Sequence, residues 1–559
     1  MAGEGDGITR LLRELKERSG RSYDDLGRRA LVGRSTLHRY CTGKALPPDA
    51  ETVIRIARAC DATDAEADAA LAAWLAARPA TDTTGPSEAP PPAGKAPDRP
   101  ATGPPDSGPS PAAMPASTAR RGGRRWTLVA AGAGLVAVLA AALLAGLGGM
   151  REAPSKTARG DGPPRLTGPA WQVHPKAVDP AFFGVTMNSD TGEMPTFRVG
   201  SVRLWDSGTK WSDIQPRHGA FDWHTLDRLV SGADDAGLES TFVFGATPAW
   251  AAPGAPRGVY PDGSRAAAPD HLADWDALVR KLVHRYHGRI AAYEVWNMAN
   301  DRRYYSGSMR RLVEMTRRAS RAIHSADPDA LVVCPGMTEL YRVGALRALD
   351  RFARLGGYRH CDVASVKLHQ RRVTDPPEST LTMLRSVQKI LHDRDIALPL
   401  WNTGVTYDIP FQSRLPTARA VSYATRFYLS GLYGRVYGLR RAYFYNWGST
   451  RIPAVLQGVG GPPTKAARAV DRLQRWLAGA RIAGCGQGRQ IGLPPSVWQC
   501  EFRVAGHRAL IRWTHTGMAT TTIPSGVTTV HRLEGSVHRL DPGRKLTITG
   551  RPVLLDGRT

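Results

Sequence analysis

Residues 291–301 read AAYEVWNMAND, an apolar run that ends in polar residues, and this pattern recurs through the second half of the chain. Short apolar runs bounded by polar segments are typical of buried parallel strands, and helix-like segments separate them here. Eight such runs predict a (β/α)8 barrel with its site at the carboxyl ends of the strands. The predicted strands are 182–186, 202–205, 240–244, 291–296, 331–334, 363–368, 398–401 and 442–447.

The chain has 559 residues, which is too long for one ordinary domain, and its composition changes along its length. A run of short amphipathic helices opens the chain, a stretch rich in Pro, Gly and Ala follows, and Thr/Val-rich strands with Gly/Pro turns close it. We therefore expect a multidomain protein. Its predicted parts are an all-α helix-turn-helix domain (1–78), a disordered linker with a basic flank (79–125), a transmembrane helix (126–148), a second linker (149–168), the barrel (169–465) and a small C-terminal β-domain (466–559).

The segment 126–147, WTLVAAGAGLVAVLAAALLAGL, has 22 residues and no charge. About 20 apolar residues span the hydrocarbon core of a bilayer. The segment follows a folded-domain pattern, so it is not a signal peptide. The basic run RRGGRR at 120–125 precedes it, whereas only Arg151 follows closely. This asymmetry predicts a single-pass protein of the cell membrane, with a cytoplasmic N-terminus and an extracytoplasmic C-terminus.

The net charge of +25 is concentrated in the second half of the chain. Residues 1–125 carry 19 basic and 16 acidic side chains, whereas 56 basic and 34 acidic side chains follow residue 150. A basic surface favours anionic partners such as a charged envelope polymer, a membrane or nucleic acid. A surface of solvated arginines with no partner explains the same numbers.

The six cysteines form no CxxC motif and no Cys/His metal spacing, and the chain contains no nucleotide-binding loop. We therefore expect no metal site and no cofactor. If the second half is extracytoplasmic, disulfide bonds are permitted there. Cys485 with Cys500 is then the favoured pair, and Cys334 with Cys361 is a weaker one.

Residues 22–60 read SYDDLGRRALVGRSTLHRYCTGKALPPDAETVIRIARAC, two short helical patterns joined by a Gly-containing turn and followed by another helix. This stretch resembles the Cro/C1-type (XRE) helix-turn-helix family. The resemblance implies that the second of the paired helices enters the major groove of DNA. It implies a core of Leu26, Ala30, Leu37 and Ile56. The implied DNA contacts are Arg34, Ser35, Thr36, His38 and Arg39.

A protein-binding role for this domain stays open. Some membrane-anchored cell-shape proteins of bacteria use the same fold as an adaptor. The domain is nearly neutral, and Asp24 and Asp25 lie close to the predicted reading helix. A tight DNA binder usually has a strongly basic face.

The barrel resembles the xylosidase/xylanase-like retaining glycoside hydrolases of the large (β/α)8 clan. The resemblance covers roughly residues 180–555. Its motifs are VRLWDSGTKWSDIQP (202–216), FDW (221–223), FGATPAWAA (244–252), AAYEVWNMAND (291–301), LPLWNTGVTYD (398–408) and AYFYNWGS (442–449).

In that clan the fourth strand ends in Trp-Asn-Glu, whose Glu is the acid/base, and the seventh ends in a Glu nucleophile. Here Met298 and Gly404 occupy those two positions. Retaining hydrolysis requires two carboxyl groups about 5–5.5 Å apart. Methionine transfers no proton and glycine has no side chain, so the resemblance implies a pseudoenzyme. Four other carboxylates offer a displaced pair as an alternative: Asp206, Glu294, Glu339 and Asp408.

Other residues near the predicted strand ends are suited to contact a sugar. Asn297 matches the clan's asparagine that binds a sugar hydroxyl, and Arg203 matches a strand-end arginine. Aromatic faces stack on sugar rings, although each aromatic residue here also suits the barrel core. The predicted carbohydrate contacts are Arg203, Trp205, Trp250, Trp296, Asn297, His369, Tyr445 and Trp447.

Three functions remain open at this point. The first is a membrane-anchored, DNA-binding transcriptional regulator whose outer barrel is a sensor that binds a glycan or an envelope component. The second is an envelope scaffold whose helix-turn-helix domain binds a cytoplasmic protein. The third is an active glycoside hydrolase with a displaced carboxylate pair. Operator geometry and the glycines at 132, 134, 146 and 148 are compatible with a homodimer.

Overall fold

The computed structural model describes residues 6–30, 32, 34–43, 45–47, 50–77, 166–405 and 409–557. The chain divides into two compact units, which are Met1–Met150 and Arg151–Thr559. Each unit has its own hydrophobic core.

The first unit is a bundle of helices with an apolar core. The four predicted core residues, Leu26, Ala30, Leu37 and Ile56, are all fully buried, which confirms the predicted packing. Glycine is required at position 27, because a Cβ there would lie 2.6 Å from the Val32 carbonyl oxygen. The helices are α1 (Asp6–Arg18), α2 (Tyr23–Ala30), α3 (Arg34–Cys41), α4 (Ala50–Ala59) and α5 (Asp64–Ala76).

The second unit opens with strand β1 (Trp171–Ala177), and the barrel follows it. All eight predicted barrel strands are present, parallel, and nearly closed into a ring in the order β6-β5-β4-β3-β2-β9-β8-β7. They are β2 (Phe183–Met187), β3 (Ser201–Leu204), β4 (Glu239–Val243), β5 (Ala292–Glu294), β6 (Leu331–Val333), β7 (Ala364–Val366), β8 (Leu400–Asn402) and β9 (Leu439–Trp447).

Helices connect the barrel strands, because parallel neighbours require crossover connections. Their buried faces follow the helical period, as in α9, where Leu312, Met315, Ala319 and Ile323 point into the core. The helices of this unit are α6 (Trp211–Ile214), α7 (His224–Asp235), α8 (Leu272–Arg285), α9 (Met309–Ala326), α10 (Val343–Arg354), α11 (Thr380–His392), α12 (Thr417–Tyr433) and α13 (Lys465–Trp476).

The weakest junction of the barrel lies between β6 and β7. Only isolated bridges join the two segments there, at Val333 with Val363 and at Met337 with Val366. A disulfide between Cys334 and Cys361 crosses the same junction, with a Cα–Cα distance of 5.5 Å. The bond therefore holds the ring together where the backbone ladder is incomplete.

Strand β1 and helix α13 lie at the two ends of the segment predicted as the barrel. Residues 171–177 were assigned to the barrel segment with no strand predicted there, but β1 pairs with β10 at the edge of the C-terminal sheet. Helix α13 lies where β-structure was expected, and it packs along α12 of the barrel. The domain's own strands are β10 (Arg481–Gln487), β11 (Val497–Val504), β12 (His507–Thr514), β13 (Ala519–Thr522), β14 (Thr529–Arg532), β15 (Val537–Arg539), β16 (Lys545–Ile548) and β17 (Val553–Asp556).

Seven of these strands form one antiparallel sheet, in the order β1-β10-β11-β12-β17-β14-β15, and β13 pairs with β16. A disulfide links Cys485 to Cys500, which face each other across β10 and β11. Cys41 and Cys60 of the first unit are buried free thiols.

The predicted transmembrane helix, the long linker before it and most of the linker after it lie outside the described residues. Within the part of the chain that the structure describes, no helix combines the length and the apolar character needed to cross a bilayer.

Replacing Cys334 and Cys361 together with alanine will destabilise the second unit. The bond closes a loop of 27 residues, for which loop-closure entropy gives about 3.5 kcal/mol of stability. Denaturant unfolding of the variant, with the Cys485–Cys500 bond intact, should show this loss. An unchanged midpoint, together with alkylation of both thiols in the unreduced wild type, would show that the bond does not form.

Candidate functional site

A small cavity opens at the carboxyl ends of the barrel strands and encloses about 100 Å³. Ligand pockets usually measure roughly 300–1,000 Å³, so this cavity is small for a glycosidase-like cleft. Its lining residues come from several strand ends and from the loops above them. They are Arg203, Trp205, Asp206, Tyr260, Asn297, Met298, Tyr304, Lys367, Thr403, Val405, Pro410, Phe411 and Tyr445.

The floor of the cavity rests on a buried ion pair. Arg203, at the end of β3, donates from Nε to Glu294 Oε2 over 2.7 Å, and both side chains are almost fully buried. Arg203 Nη2 also donates to Asn297 Oδ1 at 3.0 Å. Ser365 and Thr403 donate to the other oxygen of Glu294, at 3.1 and 3.3 Å. Glu294 is therefore fully occupied in holding strands together and does not reach the cavity.

Lys367 directly follows β7, and its side chain is only 1% exposed. Its Nζ donates to the Thr403 carbonyl oxygen at 3.0 Å and to Thr403 Oγ1 at 3.2 Å. Its ion-pair partner among the described residues is Glu294, whose Oε1 lies 3.9 Å from Nζ. Burial lowers the pKa of Lys367 to about 7, and the Arg203 charge adds to this shift, while Glu294 and Asp206 oppose it.

Asp206 is the only carboxylate among the described residues that line the cavity. Tyr260 donates to its Oδ1 at 2.8 Å and Tyr445 to its Oδ2 at 2.7 Å. Trp205 donates from Nε1 to the Tyr260 hydroxyl at 2.7 Å. Burial raises the pKa of both tyrosines well above the ordinary value, and the Asp206 charge adds to the shift. The tyrosines thus stay protonated and hold the carboxylate in place.

The two positions that lack the expected carboxylates lie at this site. Met298 has a left-handed backbone (φ +48°) and packs in a cluster with Trp205 and Tyr304. Gly404 has φ +120°, and a Cβ built there would meet only Thr186 Oγ1, at 3.8 Å. That hydroxyl is buried and has no partner among the described residues. The glycine therefore leaves space at the position where the clan's nucleophile is expected.

The other proposed carboxylates form no pair with Asp206 in the described residues. Glu294 is committed to the buried ion pair, and Glu339 pairs with Arg342 at 2.9 Å. Asp408 lies outside the described residues.

The predicted sugar contacts divide into two groups. Arg203, Trp205, Asn297 and Tyr445 line the cavity. The structure places the remaining four elsewhere. Trp250 donates to the Gln215 carbonyl oxygen, Trp296 donates to the Tyr304 carbonyl oxygen, Trp447 donates to Gln457, and His369 is buried beside the cavity with Nδ1 2.7 Å from the Gln370 carbonyl oxygen.

Sequence reasoning missed several cavity residues. Lys367 was detectable, since alternate residues of a strand face the same side and it lies two residues before His369. Tyr260 and Tyr304 come from long loops, and no local pattern predicts where such side chains point. The same holds for Pro410 and Phe411.

The predicted DNA contacts lie on α3 of the first unit. Arg34, Thr36, His38 and Arg39 are exposed, while Leu37 on the opposite face is buried. The side chain of Ser35 is not among those that the structure describes. Arg34 is 3.5 Å from Asp24, and the His38 ring meets the Tyr23 ring edge-on. Asp24 therefore lies beside the N-terminal end of α3, where Arg34 begins the helix.

The geometry defines two classes of domain: a helix-turn-helix domain of the DNA-binding type and a glycoside-hydrolase-like barrel. Residues 8–70 match the family model of a helix-turn-helix domain. No curated protein matches the chain.

Solved structures are similar to the second unit. A family 39 glycoside hydrolase from Bacteroides cellulosilyticus WH2 aligns over 67% of this chain and 81% of its own, with a TM-score of 0.53 and 15% identity. A monomeric β-xylosidase from Caulobacter crescentus CB15 aligns over 69% and 97%, with a TM-score of 0.49 and 11% identity. At 15% identity the first likeness shows the fold and not the activity.

Acid should destabilise the barrel through His369. Burial lowers the pKa of His369 to about 4, so the folded state resists the proton that the unfolded chain binds below pH 6.5. The stabilising effect is complete above pH 6.5 and is lost as the pH falls toward 4, by about 3 kcal/mol. His369→Asn should flatten the fall in unfolding free energy over this range. Parallel curves for variant and wild type would contradict the assignment.

Proposed function

We propose that the chain is a membrane-anchored transcriptional regulator whose first unit binds DNA and whose glycoside-hydrolase-like unit acts outside the cell as a non-hydrolytic sensor. The observation that carries the proposal is that Asp206 is the single carboxylate among the described residues that line the strand-end cavity. A retaining glycosidase needs two. The described part of the barrel contains the Arg203–Asn297 contact but no second carboxylate in the cavity.

A ligand-binding role is supported by what remains in the cavity. Arg203, Asn297 and Asp206 present charged and amide groups, and Trp205 and Tyr445 present aromatic faces. This mixture is typical of sugar recognition. The enclosed volume favours a small ligand or the end of a longer glycan over a buried polysaccharide.

The distribution of cysteines supports an anchored protein with its units in different compartments. Both disulfides lie in the second unit, whereas the two cysteines of the first unit are buried free thiols. Disulfides persist in oxidising compartments and are rare in the cytosol. The charge-free segment 126–147 lies between the two groups of cysteines in the sequence.

The purified segment 168–559 should not hydrolyse aryl β-glycosides above the rate of buffer. A single carboxylate supplies either an acid/base or a nucleophile, and loss of the acid alone costs about 10²–10⁴ in rate. Glycan-array binding by the same preparation tests recognition separately. Turnover in the ordinary enzyme range of about 1–10³ s⁻¹, abolished by Asp206→Asn, would instead establish a working hydrolase.

Residues 1–80 should bind a preferred DNA sequence, and Arg39→Ala should weaken that binding about 10–100-fold. The matched control is Arg10→Ala, which removes the same charge from an exposed position on α1. It should change the affinity little. Log affinity should also fall linearly with log salt concentration. Equal losses in both variants would indicate non-specific attraction, and no DNA binding at all would favour the adaptor role.

Anchoring is tested with the full chain. It should resist extraction from membranes by alkaline carbonate, and deletion of 126–147 should release it. Release of the wild-type protein by carbonate would contradict the anchored topology.

A further inference from the structure

Lys367 is a buried amine that the proposed function does not use. The segment 166–557 contains seven lysines, and Lys367 alone among them lines the strand-end cavity. Its Nζ has two hydrogen-bond acceptors, both on Thr403, and no carboxylate oxygen at hydrogen-bond distance among the described residues. Lys367 therefore lines the cavity while its nearest ion-pair partner, Glu294, stays beyond hydrogen-bond distance at 3.9 Å.

We propose that Lys367 condenses reversibly with a small aldehyde or ketone that enters the strand-end cavity, and so forms an imine. The cavity encloses about 100 Å³, which is small beside the roughly 300–1,000 Å³ of most ligand pockets. This space suits a hydroxy-aldehyde or hydroxy-ketone of two or three carbons, the open-chain form of the shortest sugars. The activity goes beyond non-hydrolytic binding, because a covalent bond forms.

The condensation balances without an oxidant or reductant. The Nζ lone pair attacks the carbonyl carbon, and one N–H proton moves to the oxygen to give a carbinolamine. The C–O bond then breaks, the second N–H proton leaves with the oxygen as water, and a C=N bond remains. Asp206 is the carboxylate of the cavity that can carry these protons, and Tyr260 and Tyr445 hold it in place.

The surroundings keep the amine reactive. Arg203 repels a proton on Lys367, whereas Glu294 and Asp206 attract one, and the buried His369 is the neighbouring imidazole. Burial outweighs the attraction and lowers the pKa of Lys367 to about 7. About half of the amine is then neutral at pH 7, against fewer than about one in a thousand for an exposed lysine.

Reductive trapping tests the proposal on the full chain in detergent. The protein is incubated at pH 7 with glycolaldehyde and sodium cyanoborohydride, and peptide mass spectrometry follows each lysine with time. Lys367 should be labelled at least about 500-fold faster than the exposed Lys389, as expected from its neutral fraction. Its rate should rise with pH to a plateau above about pH 7, whereas the Lys389 rate should still be rising at pH 9.

Two variants complete the design. Lys389→Gln changes an exposed lysine paired with Asp393 and should leave labelling at Lys367 unchanged, while Lys367→Gln should abolish the fast reaction. If the second variant fails to fold, the comparison of lysines within the wild type still decides. An unlabelled Lys367 beside labelled surface lysines, in protein with its native melting transition, overturns the proposal. The hydrolysis and DNA-binding assays do not depend on this result.

Discussion

The buried pair of Arg203 and Glu294 is the constraint around which the barrel site is organised. Taking two charges out of water costs several kcal/mol for each ion, and only close geometry with further hydrogen bonds offsets this cost. Here the pair spans 2.7 Å, and Ser365 and Thr403 satisfy the second carboxylate oxygen. These groups come from β3, β5, β7 and the end of β8, so the network fixes four strand ends relative to one another. The network also requires glycine at position 336, since a Cβ there would lie 2.6 Å from Glu294 Oε1.

This network explains how the fold persists without the two carboxylates of a retaining glycosidase. Catalytic side chains are held in strained or poorly solvated positions, and losing them seldom harms stability. Met298 packs against Trp205 and Tyr304. This apolar contact occupies a position at which a carboxylate would require solvation. Gly404 relieves a backbone with φ +120°, which other residues rarely adopt. Met298 and Gly404 are therefore both compatible with the packing and the backbone of this barrel.

Much of this architecture could be predicted from the sequence, because local patterns of apolar residues indicate it. The eight strands follow from apolar spacing, whereas the core of Leu26, Ala30, Leu37 and Ile56 follows from the resemblance to a helix-turn-helix family. Strand β1 escaped prediction because its partner, β10, lies about 300 residues further along the chain, and no local signal reports such a pairing. The cavity was predicted in part, since Arg203 and Asn297 sit at strand ends, whereas Tyr260 arrives from a loop whose path depends on tertiary packing.

Under the proposed sensor function, occupancy of the small cavity must produce a change that another molecule can detect. A ligand shifts a conformational equilibrium only by its differential affinity for two states. A closely packed barrel offers few alternative conformations. The rim of the cavity is the exception, because Phe411 lines the space and is also 47% exposed. A ligand that contacts Phe411 alters a surface that a second copy or an envelope partner can touch. Under the proposed function, in which one membrane helix joins the two units, association at that surface is the step through which occupancy would reach the first unit.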